Sequence, residues 1–248
     1  MARIIALANQ KGGVGKTTSA INLGAALAEA GRRVLLVDCD PQASLTDALK
    51  IDAGALERSI YDVLQGEVPL RSILQEVGRI TIAPATIDLA AAEMQLINEV
   101  GRERILADAL APVVSSFDEI LIDCPPSLGL LTINALTAAD AVLVPVECHY
   151  LALRGLSQLM DSISKIQRRT NPSLTLLGVL PTMYSNQTVH EQEVLGRLQE
   201  QFPDQVFTPI RRSIRFAETA VAGRPMIDYD PHHPGGEAYR ALAREVLR

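Results

Sequence analysis

Asn9-Gln10-Lys11-Gly12-Gly13-Val14-Gly15-Lys16-Thr17-Thr18 sets two lysines and three glycines between an apolar run and a helix-forming stretch. That combination suits phosphate. Glycines let the backbone turn tightly and aim successive N–H groups at one anion. A helix starting near Thr17 adds the positive end of its dipole. Lys16 supplies a point charge for β- and γ-phosphates, and the Thr17 hydroxyl is placed to ligate Mg²⁺. The common consensus has a glycine five residues before the Gly-Lys pair; here Gln10 stands there, and Lys11 adds a second charge inside the loop. Two lysines in a glycine turn repel each other to no purpose unless an anion lies against them.

Aspartates close three other places of interest. Asp38 and Asp40 follow the apolar run Val34–Val37, and Asp123 follows Ile120–Ile122. A carboxylate ending a buried strand can hold the water shell of Mg²⁺. Asp38 and Asp40, two residues apart in extended chain, project to the same side. Asp38 is read either as a support for that shell or as a cap on the turn before Pro41.

The elements that must carry these groups alternate along the chain. Strands are expected at Arg3–Ala8, Arg33–Val37, Ile80–Ala83, Glu119–Ile122, Ala141–Val146 and Thr175–Leu180, with a short one near Val206–Thr208. Helices are expected at Thr17–Ala30, Leu89–Val100, Glu103–Leu110, Leu130–Ala138, Leu153–Gln167, Val189–Gln201, Ile214–Ala222 and Glu237–Leu247. Several strands are almost continuously apolar, as strands covered on both faces are. The order implies an α/β fold with a mostly parallel twisted sheet and helices on both faces. Gly54, Gly66 and Pro69 break Asp47–Val77 into short helices or loops. No linker parts two cores, so residues 1–248 are read as a single domain.

Composition excludes several classes. Hydrophobic residues make up 48% of the 248, too many for a disordered chain. No apolar stretch approaches the ~20 residues of a membrane span, and the N-terminus does not read as a signal peptide. Cys39, Cys124 and Cys148 are too widely spaced for a metal site and are expected as reduced thiols. No histidine has metal-ligand spacing. Aromatics are 4% and Trp is absent, which excludes base stacking on an aromatic platform. A net charge of −6, taken alone, argues against a nucleic-acid binder. Two segments run against that average, each with a local charge of +3. Phe207–Arg224 carries Arg211, Arg212, Arg215 and Arg224 against Glu218, and Arg154–Asn171 carries Arg154, Lys165, Arg168 and Arg169 against Asp161. Arginine forks suit phosphate.

Lys11-Gly-Gly-Val-Gly-Lys16-Thr17-Thr18 resembles the deviant Walker A motif of the ParA/MinD group of P-loop NTPases. Val37-Asp38-Cys39-Asp40-Pro41-Gln42 resembles its switch I, and Leu121-Ile122-Asp123-Cys124-Pro125-Pro126 its Walker B strand and switch II. Ile210–Ala220 and Asp228–Tyr239 resemble the chromosomal, Soj-type subgroup. The resemblance runs from about residue 2 to the end. It implies an ATPase using ATP and Mg²⁺, with Lys11, Lys16 and Asp40 catalytic and Asp40 orienting the attacking water. Lys11, Gly12, Gly13, Val14, Gly15, Lys16, Thr17 and Thr18 would hold the nucleotide, Thr17 and Asp123 the metal. It further implies that Lys11 reaches the partner's nucleotide in an ATP-dependent sandwich homodimer. Thr182 and Pro209 fall where relatives close the adenine pocket, though Pro181 and Pro209 also suit strand ends.

For DNA, the resemblance implies nonspecific binding of duplex by Arg211, Arg212 and Arg215 in the dimer. It implies a centromere-binding ParB-type partner that stimulates hydrolysis, and a cytoplasmic, nucleoid-associated protein segregating a chromosome or plasmid. The Arg212–Arg215 spacing agrees with the subgroup while the flanking residues differ. Glu147-Cys148-His149 stands where the subgroup more usually has Gln-Cys-Glu, and His149 is given no role. Three alternatives use the same loop. A MinD-like membrane ATPase needs a Lys-rich amphipathic helix at its C-terminus; here Tyr239, Leu242, Val246 and Leu247 are expected to dock on the core. A metabolic ATP-dependent enzyme needs a substrate pocket, and no residue set suggests one. A reductase like the nitrogenase iron protein needs paired cluster cysteines, which Cys124 and Cys148 do not form convincingly.

Overall fold

The computed structural model describes residues 2–149, 151–185 and 189–248. In chain order the elements are β1 (Arg3–Leu7), α1 (Lys16–Glu29), β2 (Val34–Asp38), α2 (Ser44–Ala48), α3 (Ile60–Leu64), β3 (Gln75–Val77), β4 (Ile80–Ala83), α4 (Leu89–Gln95), α5 (Ile105–Leu110), β5 (Glu119–Asp123), α6 (Leu130–Ala138), β6 (Ala141–Glu147), α7 (Leu151–Arg169), β7 (Thr175–Thr182), α8 (Val189–Gln201), α9 (Arg215–Ala222), α10 (Met226–Tyr229) and α11 (Pro234–Val246). The seven strands form one sheet in the order β3-β4-β2-β5-β1-β6-β7. Every pairing is parallel except that of β3 with β4.

Parity explains how apolar runs build two cores. Successive side chains in a strand face opposite sides. Leu35, Val37, Ile120, Ile122, Val142 and Val144 join the layer made by α3 to α8. Their neighbours Val34, Leu36, Leu121 and Leu143 join the opposite layer, with α1, α10 and α11. Each fully buried aliphatic side chain contributes roughly 1.5–3 kcal/mol, so neither face tolerates a polar residue without a partner.

The structure refines several expectations. β3 was not foreseen: its Gln75 and Glu76 read as loop, and it exists as the antiparallel partner of β4 across a turn at Gly78, φ 61°. The helix expected over Leu89–Val100 stops at Gln95 and continues as a 3₁₀ turn, Leu96–Asn98. The Arg102 guanidinium takes the Ile97 carbonyl there. α11 begins earlier than expected because Pro234 suits a first helical turn and His233 Nδ1 accepts from Gly235 N at 2.9 Å. Tyr239, Leu242 and Val246 dock on the core as expected, while Leu247 is 38% exposed.

The strand expected near Val206–Thr208 is only a single bridge from Val206 to Val179. There Val179 N donates to Gln205 O at 2.7 Å and Phe207 N to Val179 O at 2.9 Å. Gly178 permits this approach, since a Cβ on it would lie 2.6 Å from Gln205 O. Gly178→Ala is therefore expected to destabilise the fold by about 1–3 kcal/mol. Thermal unfolding of the nucleotide-free protein checks it, at about 2–4 °C per kcal/mol.

Candidate functional site

The register places the chemistry. Leu7 pairs with Asp123, and Asp38 pairs with the same Asp123 from the other side. The ends of β1, β2 and β5 therefore bring the glycine loop and both aspartate segments to one rim, where open α/β sheets bind ligands.

The loop itself is tied down before it turns. Asn9 Nδ2 donates to Pro145 O at 2.7 Å, and Asn9 Oδ1 accepts from Lys11 N at 3.0 Å. Gly13 and Gly15 take φ of 74° and 83°, a region that disfavours any side chain. Gly15 is the N-cap of α1, so no side chain caps that helix and no acid sits in its first turn. Its free N–H groups and its dipole are thus left for an anion. Lys16 begins the helix, one residue earlier than expected, and folds back so that Nζ donates to Lys11 O at 3.3 Å. Lys16 is buried, and burial lowers its ammonium pKa from 10.5, against the opposing pull of Asp123, Cys124 and Asp40.

The three aspartates separate in role. Asp123 is wholly buried: its Oδ2 accepts from Thr17 Oγ1 at 2.6 Å, while its Oδ1 has no hydrogen-bond partner among the described residues. Burial first, and then Asp38 beside it, push its carboxyl up to about 8. A hydroxyl and an orphaned carboxylate oxygen are the hard donors that magnesium takes, so Thr17 and Asp123 fit the metal. Asp38 is committed elsewhere. Its Oδ2 accepts from Thr46 N at 3.0 Å and Thr46 Oγ1 at 2.7 Å, and its Oδ1 accepts from Asp40 N at 3.2 Å. It anchors α2 and the turn carrying Asp40, where the sequence left it between a support for the metal's water shell and a cap on the turn before Pro41. Burial pushes Asp38 up to about 6. Asp40 Oδ1 accepts from Gln42 N at 2.9 Å, and its charge is felt at Lys16 and Asp123.

Beside the loop lies a cavity of about 220 Å³ whose lining includes Gly15, Thr18, Thr182, Met183, Ile210 and Phe216. Thr182 lies on its lining, and its hydroxyl also props the loop by donating to Val14 O at 2.9 Å. Pro209 is not on the lining. Ile210 takes its place, because Ile210 N donates to Pro181 O at 2.8 Å and draws that residue inward. The arginines expected to meet DNA have different partners. Arg215 pairs with Glu218 at 2.8 Å and Arg212 with Glu147 at 3.4 Å, while among the described residues no salt bridge reaches Arg211. Cys39, Cys124 and Cys148 are free and buried.

Sequence reasoning missed Thr46, Glu147 and His149. No local pattern marks Thr46 as the partner of Asp38. His149, given no role, touches the Lys11 ammonium, which also donates to Glu147 Oε2 at 2.7 Å. A lysine and a carboxylate 136 positions apart leave no trace in spacing.

A glycine cradle at a helix N-terminus, a buried lysine and a hydrogen-bonded Thr–Asp pair at a parallel sheet's rim define a P-loop nucleotide hydrolase. Comparison agrees. Residues 2–176 match the family described as AAA domain. The chain is 47% identical to the sporulation initiation inhibitor protein Soj of Bacillus subtilis, over 99% of this chain and 98% of that one. It is 46% identical to the chromosome partitioning protein ParA of Myxococcus xanthus, over 99% of this chain and 88% of that one. Crystal structures of cobyrinic acid a,c-diamide synthase from Mycobacterium smegmatis superpose at TM-score 0.89 and 45% identity with ADP and magnesium bound, and at 0.89 and 44% with an ATP analog and magnesium. Both cover 100% of this chain and 95% of the other. The chain belongs to the ParA/Soj family of P-loop ATPases. No helix among the described residues is long and apolar enough to cross a membrane.

Proposed function

We propose that this chain is a DNA-segregation switch in which ATP pairs two protomers and hydrolysis parts them. The observation that carries the reading is the second loop lysine. Lys11 helps to close its loop through its backbone alone, and its side chain stands at the rim, 44% exposed, where a facing protomer would meet it. The Lys11–Thr18 loop holds the phosphates, Thr17 and Asp123 hold the metal, and Asp40 orients the attacking water. Lys16 offsets charge on the β/γ-oxygens in its own protomer, and Lys11 does so across the interface. The apolar cavity beside Thr182 and Ile210 takes the adenine. Residues 1–248 act as one unit, in the cytoplasm and on the nucleoid, and a ParB-type protein speeds the hydrolysis step.

Arg211, Arg212 and Arg215 form the duplex contact. Exposed ion pairs such as Arg215–Glu218 hold only about 0–1 kcal/mol, so phosphate displaces the carboxylate. Two protomers double the phosphate contacts, which makes affinity steep in dimerisation. Duplex binding is expected with ATP and to be lost with ADP. Its log K should fall with log salt by about 0.9 for each phosphate met. Arg211→Ala should flatten that slope by about 1 per protomer without changing sequence preference. Binding that ignores salt or nucleotide in a fluorescence titration would remove the reading.

A second reading comes from the name of the Mycobacterium smegmatis structures, cobyrinic acid a,c-diamide synthase, which is that of an amide-forming enzyme. The two separate by product analysis. The switch hydrolyses ATP with water as the only acceptor and responds to DNA; a synthase needs its acid and nitrogen donor before it consumes ATP.

A further inference from the structure

Lys11 does not project freely from its loop. Its ammonium donates to Glu147 Oε2 at 2.7 Å and also meets His149 Nε2. The second oxygen of the same carboxylate, Oε1, accepts from Arg212 Nη2 at 3.4 Å, and the His149 ring lies 3.6 Å from Oε2. The Glu147 side chain is 24% exposed, and the Lys11 hydrogen bond is the first of the influences that hold its carboxyl below the usual range. Glu147 is the last residue of β6, so its backbone is fixed by the sheet, through the pairing of Glu147 with Thr182. One carboxylate on a rigid strand end therefore gathers a cation from the glycine loop and another from the basic segment near α9.

We propose that Glu147 is a positioning residue that latches Lys11 onto its own protomer and sets how readily that lysine is released to nucleotide phosphate. The proposal rests on the reading of Lys11 as a nucleotide-facing charge. An ammonium is a compact point charge, and while it sits on Glu147 it is neutralised. Phosphate must outcompete that carboxylate. In the absence of DNA, Arg212 makes the exchange easier, because it stays on Oε1 and keeps the carboxylate compensated after Lys11 leaves. Removing the carboxylate charge should release the lysine, and removing Arg212 should tighten its hold.

The test uses the full, nucleotide-free chain and a small amine-acylating reagent, with modification at Lys11 followed by mass spectrometry. Glu147→Gln should raise the Lys11 modification rate about two- to five-fold, the range a half-exposed ion pair supports, and Arg212→Ala should lower it. In steady-state turnover Glu147→Gln should lower the ATP concentration at half-saturation by a similar factor and leave kcat and Tm close to wild type. A change in overall folding would instead move Tm and many lysines together. Equal Lys11 modification in wild type and Glu147→Gln overturns the latch. So does faster modification with no change in ATP half-saturation. Wild-type turnover in Lys11→Ala would overturn the parent reading of the lysine, and the modification rates would still decide the latch.

Discussion

Asp40→Ala should still bind ATP but hydrolyse it about 10²–10⁴-fold more slowly, the usual effect of removing a group that orients or accepts a proton. The loop, Lys16, Thr17 and Asp123 are untouched by the change, so the nucleotide keeps its cradle and its metal. Asp40 is the aspartate suited to water. It sits on a turn held at both ends, with its N–H on Asp38 Oδ1 and its own Oδ1 on Gln42 N. Among the described residues no side chain donates to its other oxygen, which leaves that oxygen for solvent at the rim. A protein that binds ATP but cannot split it should accumulate in the ATP-bound state. If that state is the sandwich dimer, size-exclusion chromatography of Asp40→Ala with ATP gives a species of twice the protomer mass, and with ADP gives protomers. Hydrolysis at the wild-type rate would move the water-orienting role to another group. A protomer peak with ATP would remove the sandwich.

What a single sequence shows and what it hides differ for physical reasons. Local composition revealed the loop, because glycines and lysines at a strand–helix junction have few other uses. It revealed the strands, because a run such as Ile120-Leu121-Ile122 must be covered on both faces. The ends Asp38 and Asp123 were visible for the same reason. Hidden were the contacts that depend on register. β1 lies between β5 and β6, neither its neighbour in sequence, so nothing local says that Asp38, Asp123 and Leu7 share one row. The Asp38–Thr46 anchor, the replacement of Pro209 by Ile210 and the Lys11–Glu147 pair all follow from that assembly. β3 escaped because a three-residue edge strand carrying Gln75 and Glu76 has no apolar pattern of its own.

Asp123→Asn should make the nucleotide-free protein more stable and the enzyme nearly inactive. The carboxyl is buried with an unpartnered Oδ1 and its pKa stands near 8, while an unfolded aspartate titrates near 3.8. Between these values the folded chain holds a proton that the unfolded chain has released. Stability therefore falls as pH rises from about 4 to about 8, because the native state binds the extra proton. Asp38, raised to about 6, adds a smaller share in the lower part of the same window. Asparagine carries no charge to desolvate and still accepts from Thr17, so it removes most of the Asp123 contribution. Differential scanning calorimetry across that window should show a shallower loss of Tm for the variant. At about pH 8 its Tm should exceed the wild type's, by about 2–4 °C for each kcal/mol relieved. Magnesium and ATP reverse the order. With them bound, the wild-type carboxylate gains the cation it lacks, whereas asparagine offers only a neutral oxygen. The stabilisation by Mg²⁺ and nucleotide should then be larger for wild type, and hydrolysis by the variant should fall about 10²–10³-fold, the effect of losing one charge-stabilising group. A variant with the wild-type pH profile would show that Asp123 is not the buried acid that destabilises the nucleotide-free protein. One that hydrolyses ATP normally would place the metal on other oxygens. The stability given up at this strand end would then have no catalytic use, whereas strain concentrated at a working site is the expected pattern.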